Sequence, residues 1–386
     1  MKVVTYVPHG AVPDIRGFAP ALVAYNFMRH FRFVTAYTIC SREHHAARLE
    51  QDPHVGTIFR LSEGRLYRRF FRKITRLDPF PLHRRAAAIV NRLMPDVFHA
   101  HQVEFPVRHF LAALRSPLPV FVHVNAVRRY DPQNGPADRY IAASRYTRDK
   151  LIEAGFPRER IEVIYNGVDT ERFAPVKPEE RAQLRRILGI DPDALVVGYV
   201  GRKQETKGFR VFLEVVRRLA GKYPGLRAVS AGSPLYHRDD TRKNIETLLA
   251  ELESKGILID LPPITHARLP AIYQVSDLVL VPTWHAGEQH PAVVCEAIAC
   301  GCLTLATDIA GISETIEDNV TGFLLRQPQD VDAVTDTTIG VIETRAGLKR
   351  VQQAARDIAV EKFDWKPLSR QLEAMYFRLG TGRVRD

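Results

Sequence analysis

Along almost the whole chain, short β-branched runs alternate with amphipathic stretches of helical spacing, the pattern of parallel sheets covered by helices. In the first half the apolar runs predict strands at 3–7, 33–38, 56–61, 96–99, 120–123, 140–143 and 161–165. In the second half they predict strands near 196–200, 227–231, 257–261, 278–281, 303–306 and 322–324. Two sheets are implied. Between them Phe173-Ala174-Pro175-Val176-Lys177-Pro178 is punctuated by prolines that neither extend a strand nor sit inside a helix. The chain therefore divides into a first domain over 1–172, a second over 173–364 and a closing segment over 365–386. That segment has helical spacing at Leu368, Leu372, Met375 and Phe377 and is expected to pack back on the first domain.

A length of 386 residues suits two α/β domains of ordinary size. Hydrophobic residues make up 45% and charged residues 26%, and no apolar run approaches the roughly 18 residues a membrane span needs. The first residues, Met1 to Pro8, have no small-residue cleavage site and read as a buried strand, so a cytoplasmic protein is expected. Three of the four cysteines, Cys295, Cys300 and Cys302, share one short stretch without further ligands at metal spacing. They read as packing residues, and no structural zinc is expected.

The formal charge of +11 favours anionic partners: nucleic acid, phospholipid head groups or a diphosphate. Basic residues concentrate in Arg65 to Arg76, RLYRRFFRKITR, which has six of them and no acid. On a helix Tyr67, Phe70, Phe71, Ile74 and Leu77 would form one apolar face flanked by Arg68, Arg69, Arg72 and Lys73. Such a face could rest on an anionic membrane or pack on the first-domain sheet.

The stretch from Thr283 to Gly301 follows an apolar strand, opens as a loop and takes helical spacing from about Pro291. Backbone N–H groups at such a helix start can hold a diphosphate. Glu288 before the helix and Glu296 within it bracket that position, where acids are costly unless they bind hydroxyls. A sugar and a ribose on either side of a diphosphate supply hydroxyls. Spacing alone leaves a solvated surface pair equally open.

The E-x7-E spacing of Glu288 and Glu296, with Ala310-Gly311-Ile312-Ser313-Glu314 and Asn319-Val320-Thr321-Gly322, resembles the donor domain of family 4 retaining glycosyltransferases. Pro95-Asp96-Val97-Phe98-His99-Ala100-His101, Ser144 and Val163 to Asp169 also lie where that family would have them. The resemblance implies the GT-B fold, two Rossmann-like α/β domains with a cleft between them. It implies a nucleotide diphosphate sugar donor, a glycan, lipid-linked or small-molecule acceptor, and a place in bacterial cell-surface polysaccharide or glycoconjugate synthesis. Arg202 and Lys207, after the strand at 196–200, match the family's basic pair for the diphosphate, where two fixed cations would stabilise the leaving charge. His123, at the end of the strand at 120–123, matches the cleft histidine near the reacting carbon, with His99 and His101 as competitors. Glu288 is assigned with His123 to catalysis, and Glu288 and Glu296 to donor binding. Gly17 matches the backbone that approaches the phosphate.

Two departures stand out: His290-Pro291 replaces a common Phe-Gly pair, and the first loop lacks a glycine pair. Asp191-Pro192-Asp193 has the letters of a metal motif but precedes a strand, so it reads as a turn. No metal or other cofactor is expected. No zinc finger, RNP signature or KH-type loop accompanies the charge, so no nucleic-acid partner is expected. Sugar-nucleotide epimerases and phosphorylases also pair Rossmann-like domains and remain the alternative within this fold.

Overall fold

The computed structural model describes residues 1–8, 10–12, 19–42, 46–62, 70–71, 73–75, 81–101, 105–124, 137–233, 240–285 and 287–380. The chain divides into two units, Met1–Asn166 with Trp365–Asp386, and Gly167–Asp364. The division falls at Asn166 rather than at 172. The stretch from 167 to 172 is tied to the second unit: the Val168 N–H donates to the Phe363 carbonyl at 2.7 Å, and the Thr170 hydroxyl donates to Asp364 at 2.5 Å. Prolines mark where a chain stops being regular, but backbone pairing decides which body it joins.

The first unit is built on an eight-stranded sheet. Its strands are β1 (Lys2–Val7), β2 (Thr35–Ser41), β3 (Leu49–Asp52), β4 (Gly56–Leu61), β5 (Val97–Ala100), β6 (Val120–Val124), β7 (Arg139–Ala142) and β8 (Ile161–Val163). The order is β3-β4-β2-β1-β5-β6-β7-β8, parallel except for the β3–β4 pair. Alternation assigns side chains to faces. Val4, Tyr6, Phe98, Val120 and Val122 face a core shared with the helices Leu82–Leu93 and Arg145–Glu153. Val3, Val97, Phe121 and Ile141 face the helices Ala19–Arg29 and Trp365–Gly380, through Phe27, Trp365, Leu372 and Tyr376. The last helix of the chain thus covers the first unit. Its buried Glu373 accepts hydrogen bonds from the backbone N–H groups of Arg32 and Phe33, at 2.8 and 2.9 Å.

The second unit has a six-stranded, all-parallel sheet: β9 (Val196–Val200), β10 (Arg227–Ala231), β11 (Leu258–Leu261), β12 (Leu278–Val281), β13 (Leu303–Thr307) and β14 (Phe323–Leu325). The order is β11-β10-β9-β12-β13-β14. Strands β9, β12 and β13 are buried along their whole length, as sheets covered on both faces require. Every strand predicted from the apolar runs is present, with ends displaced by a few residues. The strand the pattern misses is β3, whose Leu-Glu-Gln-Asp is an antiparallel edge with mostly polar side chains.

Candidate functional site

Strand order alone marks a candidate site. In the second unit the chain runs outward from β9 to β11, then returns to the other side of β9 at β12 and runs outward again. Strands β9 and β12 are therefore the switch point, and the loops after their carboxyl ends part in opposite directions. Those loops are 201–208 and 282–291, which carry Arg202, Lys207 and Glu288.

The two loops are laced together. The Trp284 N–H donates to the Thr206 carbonyl at 2.9 Å, and the Thr283 hydroxyl lies 3.1 Å from that oxygen and 3.2 Å from Glu288 Oε1. Lys207 Nζ forms an ion pair with Glu288 Oε1. Both groups are mostly withdrawn from water, with side-chain exposures of 18% and 10%. The Tyr199 hydroxyl reaches the carbonyls of Arg202 and Lys207, at 2.9 and 3.3 Å, and so sets the shape of the basic loop. Arg202 itself is exposed. Gly208, with φ +76°, closes the loop: a Cβ there would stand 2.0 Å from the Pro282 carbonyl oxygen. Gly311 plays a similar part, since a Cβ would meet the Gln289 carbonyl oxygen at 1.2 Å. The Ala310–Glu314 turn can press against the 287–291 loop only with glycine at that point.

The helix after this loop runs from Ala292 to Ala299, with Pro291 as its N-cap. Pro291 lies one residue before the helix, and its carbonyl accepts from the Val294 N–H at 3.1 Å. His290 fills the place beside it by packing its ring 4.9 Å from that of Phe363. Glu296 is buried on this helix, and both of its oxygens are engaged. Tyr273 donates to Oε2 at 2.6 Å, and His266 Nε2 lies 3.0 Å from Oε1. A solvated surface pair is ruled out for both glutamates by their burial, at 8% and 5% exposure. Tyr273 and His266 carry no local signal in the sequence, because each lies more than twenty positions from the acid it meets.

In the first unit the switch point lies between β1 and β5. His99 on β5 and His101 just past its end alternate onto one face, and His123 lies on the same face of β6. Ring centroids are 4.5 Å apart for His99 and His101, 4.8 Å for His101 and His123, and 5.6 Å for His99 and His123. All three are buried, which lowers their pKa values, that of His123 to about 3, so each is a neutral imidazole at ordinary pH. His99 Nδ1 meets the Tyr376 hydroxyl at 2.5 Å. His99 Nε2, His101 Nδ1 and both nitrogens of His123 have no hydrogen-bond partner among the described residues. This is the group among the described residues that could hold a metal ion. One ring nitrogen from each of the three lies within 4.8 Å of the other two. The three rings form one buried cluster.

Gly17 lies outside the described residues, as do Tyr67, Leu77 and most of the basic segment. Of that segment's apolar residues Phe70 and Ile74 are exposed, at 61% and 65%, and Phe71 is half-buried. Asp191 to Asp193 form a turn, the Asp193 N–H donating to Asp191 Oδ1 at 2.8 Å. The four cysteines are buried free thiols. No helix among the described residues is long and apolar enough to cross a membrane.

Residues 180–358 match the profile of the glycosyl transferases group 1, and residues 34–172 match that of glycosyltransferase family 4. The chain belongs to these glycosyltransferases. It is 32% identical over 221 residues to a D-inositol 3-phosphate glycosyltransferase of Mycobacterium ulcerans, covering 57% of this chain and 45% of that protein. The homologous enzyme of Nocardia farcinica is 34% identical over 199 residues, 51% of this chain and 43% of its own. The chain spans about half the length of the curated relatives it matches. In structure it is similar to Anabaena HepE in complex with UDP, with a TM-score of 0.77 at 20% identity, covering 98% of this chain and all of that one. Sucrose-phosphate synthase from Thermosynechococcus elongatus gives a TM-score of 0.79 at 17% identity, over 99% and 100%. These likenesses establish the GT-B fold of this glycosyltransferase family member.

Proposed function

We propose that the chain is a retaining glycosyltransferase that moves a sugar from a nucleotide diphosphate donor to a small-molecule, glycan or lipid-linked acceptor in bacterial cell-surface glycoconjugate synthesis. The observation that carries this reading is the lacing of the 201–208 and 282–291 loops at the β9/β12 switch point. It sets Lys207 against Glu288, three residues before the Pro291 N-cap of the helix that bears Glu296, with Arg202 in the same loop as Lys207. A diphosphate there meets Arg202, Lys207 and the helix N-terminus, so transfer needs no divalent cation. Lys207 exchanges the Glu288 carboxylate for phosphate, which frees Glu288 to accept a hydroxyl of the transferred sugar. Glu296, further along, takes the ribose. His123, neutral and flanked by His99 and His101, can donate or accept at a sugar hydroxyl. UDP bound to HepE supports a UDP-type donor, and the named acceptor of the curated relatives supports a phosphorylated polyol acceptor. Retention of anomeric configuration rests on the family resemblance. Acceptor-dependent release of the nucleotide diphosphate is the test, with the product anomer assigned by NMR.

The exposure of Phe70 and Ile74 favours a second element of this reading, a peripheral contact with an anionic membrane through Arg65 to Leu77 on the cytoplasmic face. Side chains that packed on the first-unit sheet would be buried. Each basic residue near anionic lipid contributes on the order of 1 kcal/mol. Flotation with vesicles should therefore increase with anionic lipid content and fall with salt. Changing Arg68, Arg69, Arg72 and Lys73 to Glu should abolish it. Indifference to vesicles at every composition would remove the membrane contact.

A further inference from the structure

We propose that Tyr273 and His266, the latter aligned by Arg172, are positioning residues that hold Glu296 as a bidentate acceptor for the cis-diol of the donor ribose. This rests on the reading above, in which Glu296 faces the nucleoside.

The proton positions follow from what each group can do. Arg172 Nη1 lies 3.2 Å from His266 Nδ1. A guanidinium only donates, so Nδ1 must carry the lone pair and the ring proton must sit on Nε2. Nε2–H then donates to Glu296 Oε1, which is 3.0 Å away. Arg172 also donates to the His266 backbone carbonyl, so backbone and ring are fixed by the same side chain. On the other oxygen Tyr273 is the donor at 2.6 Å, and burial, reinforced by the Glu296 charge, raises its pKa well above 10 and keeps its proton in place. The Cys302 thiol donates to the Tyr273 carbonyl at 3.1 Å, and the Phe173 ring lies 5.4 Å from that of His266 and 5.9 Å from that of Tyr273. The chain of contacts is Arg172, His266, Glu296, Tyr273.

A carboxylate accepts at about four lone-pair sites, two on each oxygen. One site on each oxygen is taken by the protein. One site on each oxygen remains, and two adjacent acceptors match two adjacent hydroxyls. The carboxylate cannot turn without breaking both protein bonds, so its preference for a diol is prepared before binding. Losing a hydroxyl from the ligand, or an orienting donor from the protein, removes part of the same charge-assisted pair.

Calorimetric titration of UDP and of 2′-deoxy-UDP into the full chain tests this, comparing wild type, Tyr273→Phe, His266→Ala and Glu296→Ala. Wild type should bind UDP at least about tenfold more tightly than 2′-deoxy-UDP, the scale of one hydrogen bond to a charged group. Tyr273→Phe and His266→Ala should each bring that ratio towards one, mainly by weakening UDP. A merely structural role would lower both affinities and keep the ratio. If Glu296→Ala removes the preference while both positioning variants retain it, the inference is overturned and the ribose reading stands. If Glu296→Ala itself retains the preference, or wild type binds no UDP, the reading beneath the inference fails. Tyr273→Phe keeps the ring and its packing, so the test survives a poorly folded His266→Ala.

Discussion

Glu288→Gln should lower sugar transfer by roughly 10²- to 10³-fold, the loss typical of one oriented group at a charge-developing centre, while leaving the second unit folded. The amide is nearly isosteric, and its carbonyl oxygen can still accept from the Thr283 hydroxyl 3.2 Å away and from Lys207. What disappears is the negative charge. The variant is thus poor at taking a sugar hydroxyl but keeps the contacts that shape the loop. Lys207→Ala should behave differently. It leaves Glu288, 8% exposed, without its cation, and a carboxylate so withdrawn from water and unpaired costs about 3 kcal/mol. Activity and thermal stability should fall together in Lys207→Ala, and activity alone in Glu288→Gln. Initial rates and thermal unfolding on the two variants distinguish these outcomes. A Glu288→Gln protein with wild-type turnover would remove Glu288 from the catalytic site.

The second large effect concerns acid. In the unfolded chain a histidine binds its proton near pH 6.5, whereas in the folded first unit burial lowers the pKa of His123 to about 3 and those of His99 and His101 well below 6.5. Below pH 6.5 the unfolded state therefore binds protons that the native state refuses, and stability must fall as pH falls. The loss begins at the unfolded value and saturates only near the folded one, a window from about 6.5 to about 3 for His123. At pH 5 His123 therefore costs about 2 kcal/mol, because each pH unit inside the window is worth about 1.4 kcal/mol. His99 and His101 shift in the same direction and add to this loss. Of the two tryptophans, Trp365 is buried in the first unit and Trp284 belongs to the second. In a Trp284→Phe background, fluorescence therefore follows the first unit alone. Denaturant unfolding of that protein at pH 7 and pH 5 should show a steep loss, and His123→Asn should recover about 2 kcal/mol of the difference. A first unit equally stable at both values would mean that the cluster is protonated or solvated in solution.

The contrast between these two sites reflects what a one-dimensional pattern can carry. Strands β9, β12 and β13 were legible because burial on both faces demands unbroken apolar runs, and Glu288 and Glu296 because a local motif spaces them. The β3 edge was not, since a polar strand gains its place from pairing with β4 rather than from burial. The histidine cluster was half legible. The period-two alternation of His99 and His101 is in the sequence, but His123 joins them only through the register of β5 against β6. The supports of Glu296 were not legible at all: Tyr273 and His266 reach it from the segment before β12, across a fold that brings distant positions together. The same holds for the boundary, which prolines placed near 173 and the pairing of Val168 with Asp364 places earlier.

The most direct test of the account is to incubate the purified chain with UDP-glucose and other nucleotide diphosphate sugars, with and without a panel of phosphorylated polyols, glycans and lipid-linked saccharides, and to measure release of the nucleotide diphosphate. Release should depend on acceptor and fall by roughly 10²- to 10³-fold in Glu288→Gln, with a glycosylated product that keeps the donor's anomeric configuration. Release that is indifferent to acceptor, as hydrolysis would give, conversion of the donor to an epimeric nucleotide sugar without release, as an epimerase would give, or release that requires only inorganic phosphate, as a phosphorylase would, would contradict it.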